Sequence, residues 1–270
     1  MKKYELVKPK NFLGKTIYRI KALRAFGDIK AGDLGGFVEH EKNLSHEGNA
    51  WVYDDAIVYG NAIVCDNARV CGKAVVSGNA RVYDNARVYD NARVSGKATV
   101  SDKAMVFGDA IVYDNAEIFG NARVCGKVTV CGNARVCGKV MVCGNATVSG
   151  NARMYDNAKV CGKAWVTDNT IVSNNAWVSG FAKLRDRAKI SKDAKIKSNE
   201  DYLFINNIGS YFRDVTAYRD NYIGVTVQCG YFNGSLKEFE KSVKTTYGNS
   251  KYAKEYYLLI DLIKVRFDLD

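Results

Sequence analysis

The fold of this chain is decided by a six-residue word, of which two consecutive copies are Val82-Tyr83-Asp84-Asn85-Ala86-Arg87 and Val88-Tyr89-Asp90-Asn91-Ala92-Arg93. The word pairs an apolar residue with a small one four positions later, and it runs from Ala50 to Ala194 without an insertion. The small position is Ala throughout, except at Val128, Val140 and Thr170. A strict period of this kind is typical of repeat architectures, in which each unit stacks on its neighbours.

Each word predicts a short strand followed by a corner. Ala62 and Val64, two residues apart, present one buried face of a strand, with a variable outward residue between them. The next two positions are turn formers, such as Asp66-Asn67 and Gly78-Asn79. Three words per coil predict a triangular β-helix with about eight coils, in which side chains 18 residues apart stack. An α-helix is excluded because a period of six does not keep one face of a 3.6-residue spiral inward.

The words resemble the hexapeptide repeat of left-handed β-helices. The spacing that carries this resemblance is that of Val52 and Ala56, and of Val64 and Ala68. It implies a mainly β protein whose centre is a single-stranded, parallel, left-handed β-helix of 18-residue coils. The handedness is implied by the resemblance alone.

Composition divides the chain into three parts. Residues 1–49 are expected to form an N-terminal β cap and the first coil, and residues 50–197 the hexapeptide-repeat β-helix. Residues 198–270, where the word stops, are expected to form a small α+β module.

The expected elements of the two ends follow from local patterns. Lys15–Ile20 reads as a strand of the cap. Ser235 and Glu238 form a capping box for a helix that runs to about Tyr247, and Ser250 caps a second helix. The strands expected in the module are Tyr202–Ile205, Val215–Tyr218 and Ile223–Val227.

Charge and hydropathy favour a basic protein of the cytoplasm. The net charge is +11, of which residues 1–49 contribute +4, residues 50–197 +8 and residues 198–270 −1. Met1–Glu5 leads into a polar stretch, so we expect no secretory signal peptide. No apolar run approaches the length of a membrane span, and we expect no membrane partner.

The eight cysteines do not have the spacing of a metal site. Seven of them occupy one word position, directly after the apolar residue, where Tyr, Ser and Phe also occur: Cys65, Cys71, Cys125, Cys131, Cys137, Cys143 and Cys161. No Cys-x-x-Cys pair exists, so we expect neither a zinc site nor any other cofactor. A cytoplasmic chain would keep these thiols reduced.

A second resemblance extends over the whole chain. The segments 14–23 and 32–37, followed by the repeat, resemble a family of hexapeptide-repeat proteins of bacterial prophages. Residues 207–210, 230–234 and the helix around Lys254-Glu255-Tyr256 are similar to the C-terminal module of that family. Its members carry labels such as transferase or polymer-forming protein. The resemblance implies a phage-encoded protein in a host cytoplasm.

Acyl transfer is one functional alternative, because many left-handed hexapeptide helices are acyl- or acetyltransferases that use acyl-CoA. Those enzymes generally employ a His as general base. This chain has two histidines, His40 and His46, both ahead of the regular repeat, and no loop interrupts the words. We therefore assign no catalytic residue and interpret both as histidines of solvated turns.

Nucleic-acid binding is a second alternative. With 18 residues per coil, one face collects basic and aromatic residues that could hold phosphates and stack bases: Arg69, Arg87, Arg123, Lys159, Tyr53, Tyr89 and Phe107. The end of the repeat adds a dense basic stretch that contains Lys183, Arg185 and Arg187. A plainer interpretation is that strand surfaces favour Arg and aromatic residues.

Protein binding is the interpretation that we favour. A second face is more apolar than the surface of a monomer usually is, and it predicts a homo-oligomer contact or a partner site through Ile57, Tyr59, Val75, Ile111, Tyr113 and Trp165. We therefore predict a non-enzymatic binding scaffold whose partner is a protein or a protein–nucleic-acid complex. From the prophage resemblance, that partner is expected to be a host macromolecule, such as a CRISPR effector that the scaffold inhibits.

Overall fold

The computed structural model describes residues 2–269 and confirms a parallel β-solenoid with 18-residue coils. The prism has about nine coils instead of about eight, as its walls of up to nine rungs show. The additional coil precedes the repeat, because strand β3 (Leu34–Val38) pairs in parallel with the rung Ile57–Val58. Leu44 likewise bridges Val64 ahead of the third wall.

Three parallel sheets of two-residue rungs form the walls of the prism. The rungs of the first wall are Trp51–Val52, Arg69–Val70, Arg87–Val88, Met105–Val106, Arg123–Val124, Met141–Val142, Lys159–Val160, Trp177–Val178 and Lys195–Ile196. Those of the second wall are Ile57–Val58, Val75–Val76, Arg93–Val94, Ile111–Val112, Thr129–Val130, Thr147–Val148, Trp165–Val166 and Lys183–Leu184. Those of the third wall are Ile63–Val64, Arg81–Val82, Thr99–Val100, Glu117–Ile118, Arg135–Val136, Arg153–Met154, Ile171–Val172 and Lys189–Ile190.

The interior of the prism consists of the two apolar positions of the word. Val124 and Ala122, for example, are fully buried, as are their counterparts in every coil. Adjacent coils are joined by backbone hydrogen bonds such as that from Arg87 N–H to Ala104 O, at 2.9 Å. Each coil therefore contacts only the coils before and after it.

The corner of each word requires a left-handed backbone. Asp84 has φ +55° and Gly78 has φ +67°, and the same region recurs along the repeat. Only Gly, Asp and Asn enter this region at low cost, which explains why the word alternates among them there. The corners are also packed closely: a Cβ at Gly96 would lie 2.7 Å from the backbone nitrogen of Asp114.

Corner side chains tie each coil to the next. Asp102 Oδ2 accepts a hydrogen bond from Gly120 N–H at 2.8 Å, and other corner aspartates do the same 18 residues along. Beside them runs a ladder of amide hydrogen bonds through Asn115, Asn133, Asn151 and Asn169. These polar columns satisfy corner groups that the strands leave without partners.

The N-terminal end of the prism is closed by a hairpin. Strand β1 (Tyr4–Phe12), which the sequence analysis did not predict, pairs antiparallel with β2 (Lys15–Ala22), and β2 pairs with β3. The Lys3 ammonium is buried and donates to Ala50 O at 2.9 Å. A short 3₁₀ helix, Glu41–Asn43, follows β3.

The C-terminal module is an antiparallel four-stranded sheet with two helices, as the fold prediction requires. Its strands are β4 (Tyr202–Ile208), β5 (Arg213–Asp220), β6 (Gly224–Cys229) and β7 (Phe232–Ser235), in that order. Helix α1 spans Leu236–Tyr247 with the predicted capping box, and α2 spans Lys251–Phe267. A 3₁₀ helix, Asn199–Asp201, precedes the sheet, and β7 was not predicted.

Strand β5 joins this module to the last coil. Its residues alternate, so that Tyr218 belongs to the core of the prism and Val215 to the core of the module. The Tyr218 hydroxyl lies 3.0 Å from Ser191 Oγ, and Asp220 forms a backbone bridge with Ala194. The module thereby covers the open strand edges at this end of the prism.

Candidate binding walls

The first wall brings most of the predicted binding residues into one column. Arg87 pairs in register with Arg69 on one side and with Met105 on the other, and Arg123 follows Met105. Lys159 lies two rungs further along, after Met141. The column has this order because the register of the coils is 18 residues.

An aromatic pair lies beside the arginines of this wall. The Tyr89 and Phe107 rings stack with their centroids 4.8 Å apart and their planes at 5°. The Arg123 guanidinium carbon is 5.6 Å from the centre of the Phe107 ring, within the range of a cation–π contact. Within residues 2–269, neither Arg87 nor Arg123 forms a salt bridge, so both charges are available to a ligand.

Arg69 differs from these two because its charge is already neutralised. Asp28, in the loop after β2, receives two hydrogen bonds from the Arg69 guanidinium at 3.0 and 3.1 Å, and the Tyr53 hydroxyl also donates to it. Burial opposes ionisation of Asp28, but a backbone hydrogen bond and Arg69 hold its pKa below the usual range. Burial raises the pKa of Tyr53 to about 12. The sequence analysis missed Asp28, because this contact joins residues 41 apart in an irregular loop and a rung.

A groove of about 370 Å³ opens on this wall. Its lining residues are Tyr53, Asp54, Arg69, Cys71, Arg87, Tyr89 and Met105. The groove combines aromatic faces and a thioether with a cation that has no carboxylate partner in the described chain. Such a surface can hold a flat or apolar group next to an anion.

The same wall carries a column of thiols. Cys125, Cys143 and Cys161 follow consecutive rungs, and the Trp177 indole N–H donates to Cys161 Sγ at 3.1 Å. Burial, together with the neighbouring thiols, raises the pKa of Cys143 to about 11. All eight cysteines are free thiols. Burial also raises the pKa of Cys125, so the Cys125 and Cys143 thiols stay protonated near neutral pH and add little charge to the wall.

The predicted basic stretch lies away from the first wall. Lys183 belongs to the last rung of the second wall, and its ammonium is 5.4 Å from the centre of the Trp165 ring. Arg185 lies on the corner that follows and is exposed. Arg187 forms a salt bridge with Asp214 at 2.9 Å, which ties the last coil to β5. Arg187 therefore holds the module in place and is not a free cation.

The second wall is divided between covered and open residues. Ile57 is only 9% exposed, because Ile17 and Phe37 of the N-terminal cap pack on it, and Tyr59 meets the Phe12 ring edge-on at 5.8 Å. The other residues predicted for the oligomer face lie further along: Val75, Ile111, Tyr113 and Trp165. Ile111 and Trp165 are well exposed, whereas Val75 and Tyr113 are half-buried.

Both histidines lie in the N-terminal cap. The His46 ring stacks on Tyr4 at 4.4 Å, and its Nδ1 accepts a hydrogen bond from Lys3 N–H at 3.2 Å. Burial lowers the pKa of His46, although Glu41 opposes the shift. His40 precedes the 3₁₀ helix, and its Nε2 is 3.6 Å from a Glu39 carboxylate oxygen.

Residues 2–269 contain neither a cluster of metal-ligating side chains nor a helix suited to crossing a membrane. No group of three or more His, Cys, Asp or Glu side chains in this range is arranged to hold a metal ion. In the same range, none of the helices combines the length and the apolar character needed to cross a bilayer.

Comparison with known proteins concerns the prism. A family model described as YdcK Beta solenoid repeat matches residues 50–66, 80–96, 86–102 and 142–156. All of these stretches lie in the six-residue repeat, so the chain is similar to that family in its solenoid. No curated protein matches the chain. This match and the stacked parallel rungs of the prism show that the chain is a β-solenoid repeat protein.

Proposed function

We propose that this β-solenoid repeat protein is a non-enzymatic binding scaffold that engages a partner macromolecule through its first wall. The observation that carries the proposal is the cluster of Arg87, Tyr89, Phe107 and Arg123 on this wall, of which Arg87 and Tyr89 line the groove. Two cations without carboxylate partners in the described chain flank a stacked aromatic pair. Arginine and aromatic residues provide much of the binding energy in protein interfaces, and they also contact phosphates and bases in nucleic-acid complexes.

The rigidity of the prism supports this role. Hydrogen bonds between coils and corner ladders hold each outward side chain at a fixed spacing along the wall. A partner therefore meets a surface that loses little conformational freedom on binding. The repeat itself supplies no flexible loop that could close over a substrate.

We propose further that the partner is a host macromolecule met in the cytoplasm. The uniform free thiols suit a reducing compartment. A nucleic-acid-handling defence complex, such as a CRISPR effector, would present phosphates and acidic grooves to the cationic wall. Inhibition of such a complex is the specific form of this proposal, and the prophage resemblance supports it.

A non-catalytic role is also supported by the surroundings of His46. Its ring is stacked on Tyr4, and its Nδ1 already accepts a hydrogen bond from the backbone. A general base needs a free ring nitrogen within reach of a substrate. If the acyltransferase alternative were correct, acetyl-CoA would raise the melting temperature and His46→Ala would abolish turnover.

Charge reversal tests the first wall. We expect the double variant Arg87→Glu/Arg123→Glu to lower partner capture from a bacterial lysate at least tenfold at low salt. The matched control, Arg81→Glu/Arg153→Glu, makes the same change of charge on the third wall, where both side chains are exposed. If both variants lose capture equally, the loss is explained by the change in net charge and not by the position of the arginines. If Arg87→Glu/Arg123→Glu captures the partner as well as the unmodified protein does, the first wall is not the binding surface.

A nuclease control identifies the class of partner. Capture that survives nuclease treatment indicates a protein partner. If a fluorescein-labelled single-stranded oligonucleotide also binds the purified protein, with an affinity that falls steeply with salt, nucleic acid is contacted directly.

A further inference from the structure

The C-terminal module carries an exposed aromatic cluster at one end of its sheet. The turn between β4 and β5 and the turn between β6 and β7 lie at the same end, because the four strands are antiparallel. Tyr211 and Phe212 occupy the first turn, and Tyr231 occupies the second. Tyr231 is fully exposed, and Tyr211 and Phe212 are each more than 70% exposed. Large aromatic side chains grouped in this way mark an interaction site.

A single arginine lies between the two turns. The Arg213 guanidinium carbon is 5.2 Å from the centre of the Tyr211 ring and 6.0 Å from that of Tyr231. Gly230 makes this position possible, since its φ is +59° and a Cβ there would lie 2.1 Å from Arg213 Nη1. In the described part of the chain Arg213 has no salt-bridge partner. The guanidinium thus lies near both rings, and no carboxylate of the described chain neutralises its charge.

A cavity of about 300 Å³ adjoins this guanidinium. It lies between the ends of the strands and the second half of α1, and its lining includes Phe232, Phe239 and Tyr247 with the polar side chains of Ser242 and Thr246. This volume is at the lower end of the range for ligand pockets. It therefore suits one side chain of a peptide or a similarly small planar group.

The charges around the cluster favour a singly charged anion. Glu255 accepts a hydrogen bond from Gly209 N–H at 3.0 Å, so a carboxylate already lies beside the first turn. Asp214 is adjacent in sequence to Arg213, on the opposite face of β5. Asp214 is already paired with Arg187, so Glu255 is the acid that bears on the choice of anion. One planar guanidinium matches the two oxygens of a carboxylate, whereas Glu255 would repel a phosphate dianion more strongly than a singly charged carboxylate.

We propose that Tyr211, Phe212, Arg213 and Tyr231, together called the Arg213 cluster, bind a peptide segment of a partner protein in which a carboxylate adjoins an aromatic side chain. The carboxylate pairs with Arg213 and the aromatic ring enters the adjoining cavity. The cluster belongs to the C-terminal module and the groove to the prism, so the two surfaces can be tested separately.

The test uses a matched pair of probes with the full-length protein. N-acetyl-phenylalanine carries the carboxylate and the ring, and N-acetyl-phenylalaninamide is its neutral counterpart. We expect saturation-transfer NMR to detect the acid at millimolar concentration and the amide at least tenfold more weakly. Equal binding of acid and amide would overturn the proposal, because the guanidinium would then contribute nothing.

Variants assign the binding to the cluster. Arg213→Gln should weaken binding of the acid at least tenfold while the melting temperature is retained, and Arg266→Gln, an exposed control on α2, should not change it. Tyr231→Ser should weaken both probes, and because this side chain is fully exposed the variant is expected to fold. Unchanged affinity in Arg213→Gln, or displacement of the acid by equimolar inorganic phosphate, would contradict the assignment.

Discussion

In the prism, inward Val and Ala side chains recur at the same two positions of each word, whereas the C-terminal module packs Phe239, Tyr256 and Ile263 once each. The prism gains stability by repetition, since each coil contributes a similar small amount and contacts only its neighbours. The module depends instead on a few large side chains with unique partners. The same kind of substitution should therefore have local consequences in the prism and global ones in the module.

Phe239→Ala is expected to give the largest difference in stability between the module and the prism. The centre of the Phe239 ring lies 5.2 Å from that of Phe232 and 5.7 Å from that of Tyr256, so its removal leaves a cavity in the core of the module. We expect the free energy of unfolding of the module to fall by about 3–5 kcal/mol. Hydrogen exchange should show faster exchange throughout α1 and α2, with the mid-prism rungs unchanged.

Leu258→Ala is the control for that variant. Its side chain is 71% exposed on α2, and the change should alter stability by less than about 0.5 kcal/mol. Faster exchange that extends into the centre of the prism in Phe239→Ala would show that the two regions unfold as one unit.

The opposite end of the prism should respond to pH through Lys3. Burial, with a smaller contribution from Arg24, lowers the pKa of this ammonium from 10.5 to about 8. Between these values Lys3 binds more protons in the unfolded chain than in the folded one, so its contribution to the free energy of unfolding should rise with pH, by up to about 3 kcal/mol. The thiols and phenols whose pKa values burial raises contribute in the opposite direction. The difference between the slopes of the unmodified protein and of Lys3→Met, from urea titrations between pH 8 and 10.5, measures the Lys3 contribution.

Lys3→Met isolates that contribution. Methionine keeps the buried aliphatic volume and removes the titrating group, so the slope of the free energy of unfolding against pH should become less positive above pH 8. An identical slope in Lys3→Met would show that Lys3 contributes nothing to the pH dependence.

A smaller and more local effect is expected inside the prism. Val124→Ala removes two methyl groups from a fully buried position and should cost about 2 kcal/mol. Because coils interact only with their neighbours, loss of hydrogen-exchange protection should centre on the rungs at Met105 and Met141 and fade beyond them. Thr129→Ala, on the outer side of the second wall, should leave the pattern unchanged. Uniform loss of protection along the prism would contradict the local model.

The smallest effect is expected at a corner. Asp102→Ala removes the acceptor of the Gly120 N–H and puts a Cβ-bearing residue without a polar side chain at φ +56°. We expect a loss of about 1–2 kcal/mol, measured by chemical denaturation. Asp102→Gly separates the two causes, because glycine tolerates this backbone and loses only the hydrogen bond. Equal losses in the two variants would show that backbone strain contributes nothing.

Because the repeat has a strict period, the sequence predicted which residues of the prism point inward and which lie on each wall. An 18-residue register orders the side chains of each wall, and this is why the sequence alone groups Arg87, Tyr89 and Arg123 on one wall. The capping box at Ser235 likewise predicted the start of α1, because that signal lies within four residues. Strand β7 was missed because it has four residues, and β1 because its nine residues, which include Pro9, show no regular alternation of buried and exposed positions.

The sequence did not predict contacts between residues that are far apart along the chain. Asp28 neutralises Arg69 across 41 residues, and Arg187 is held by Asp214 across 27. The N-terminal cap likewise covers Ile57, so the apolar second wall is less continuous than its outward residues indicate. The Arg213 cluster forms because two turns lie side by side at one end of a sheet, and no local sequence pattern predicts that arrangement.

By itself, the sequence determined the coil length, the inward and outward residues of each rung and the left-handed corners, because a six-residue period repeats the same local requirements at every turn. Only the tertiary structure decided which outward charges remain without partners and which apolar residues stay exposed. Those properties depend on where the two irregular ends fold back onto the prism, and that is set by long-range packing that has no period.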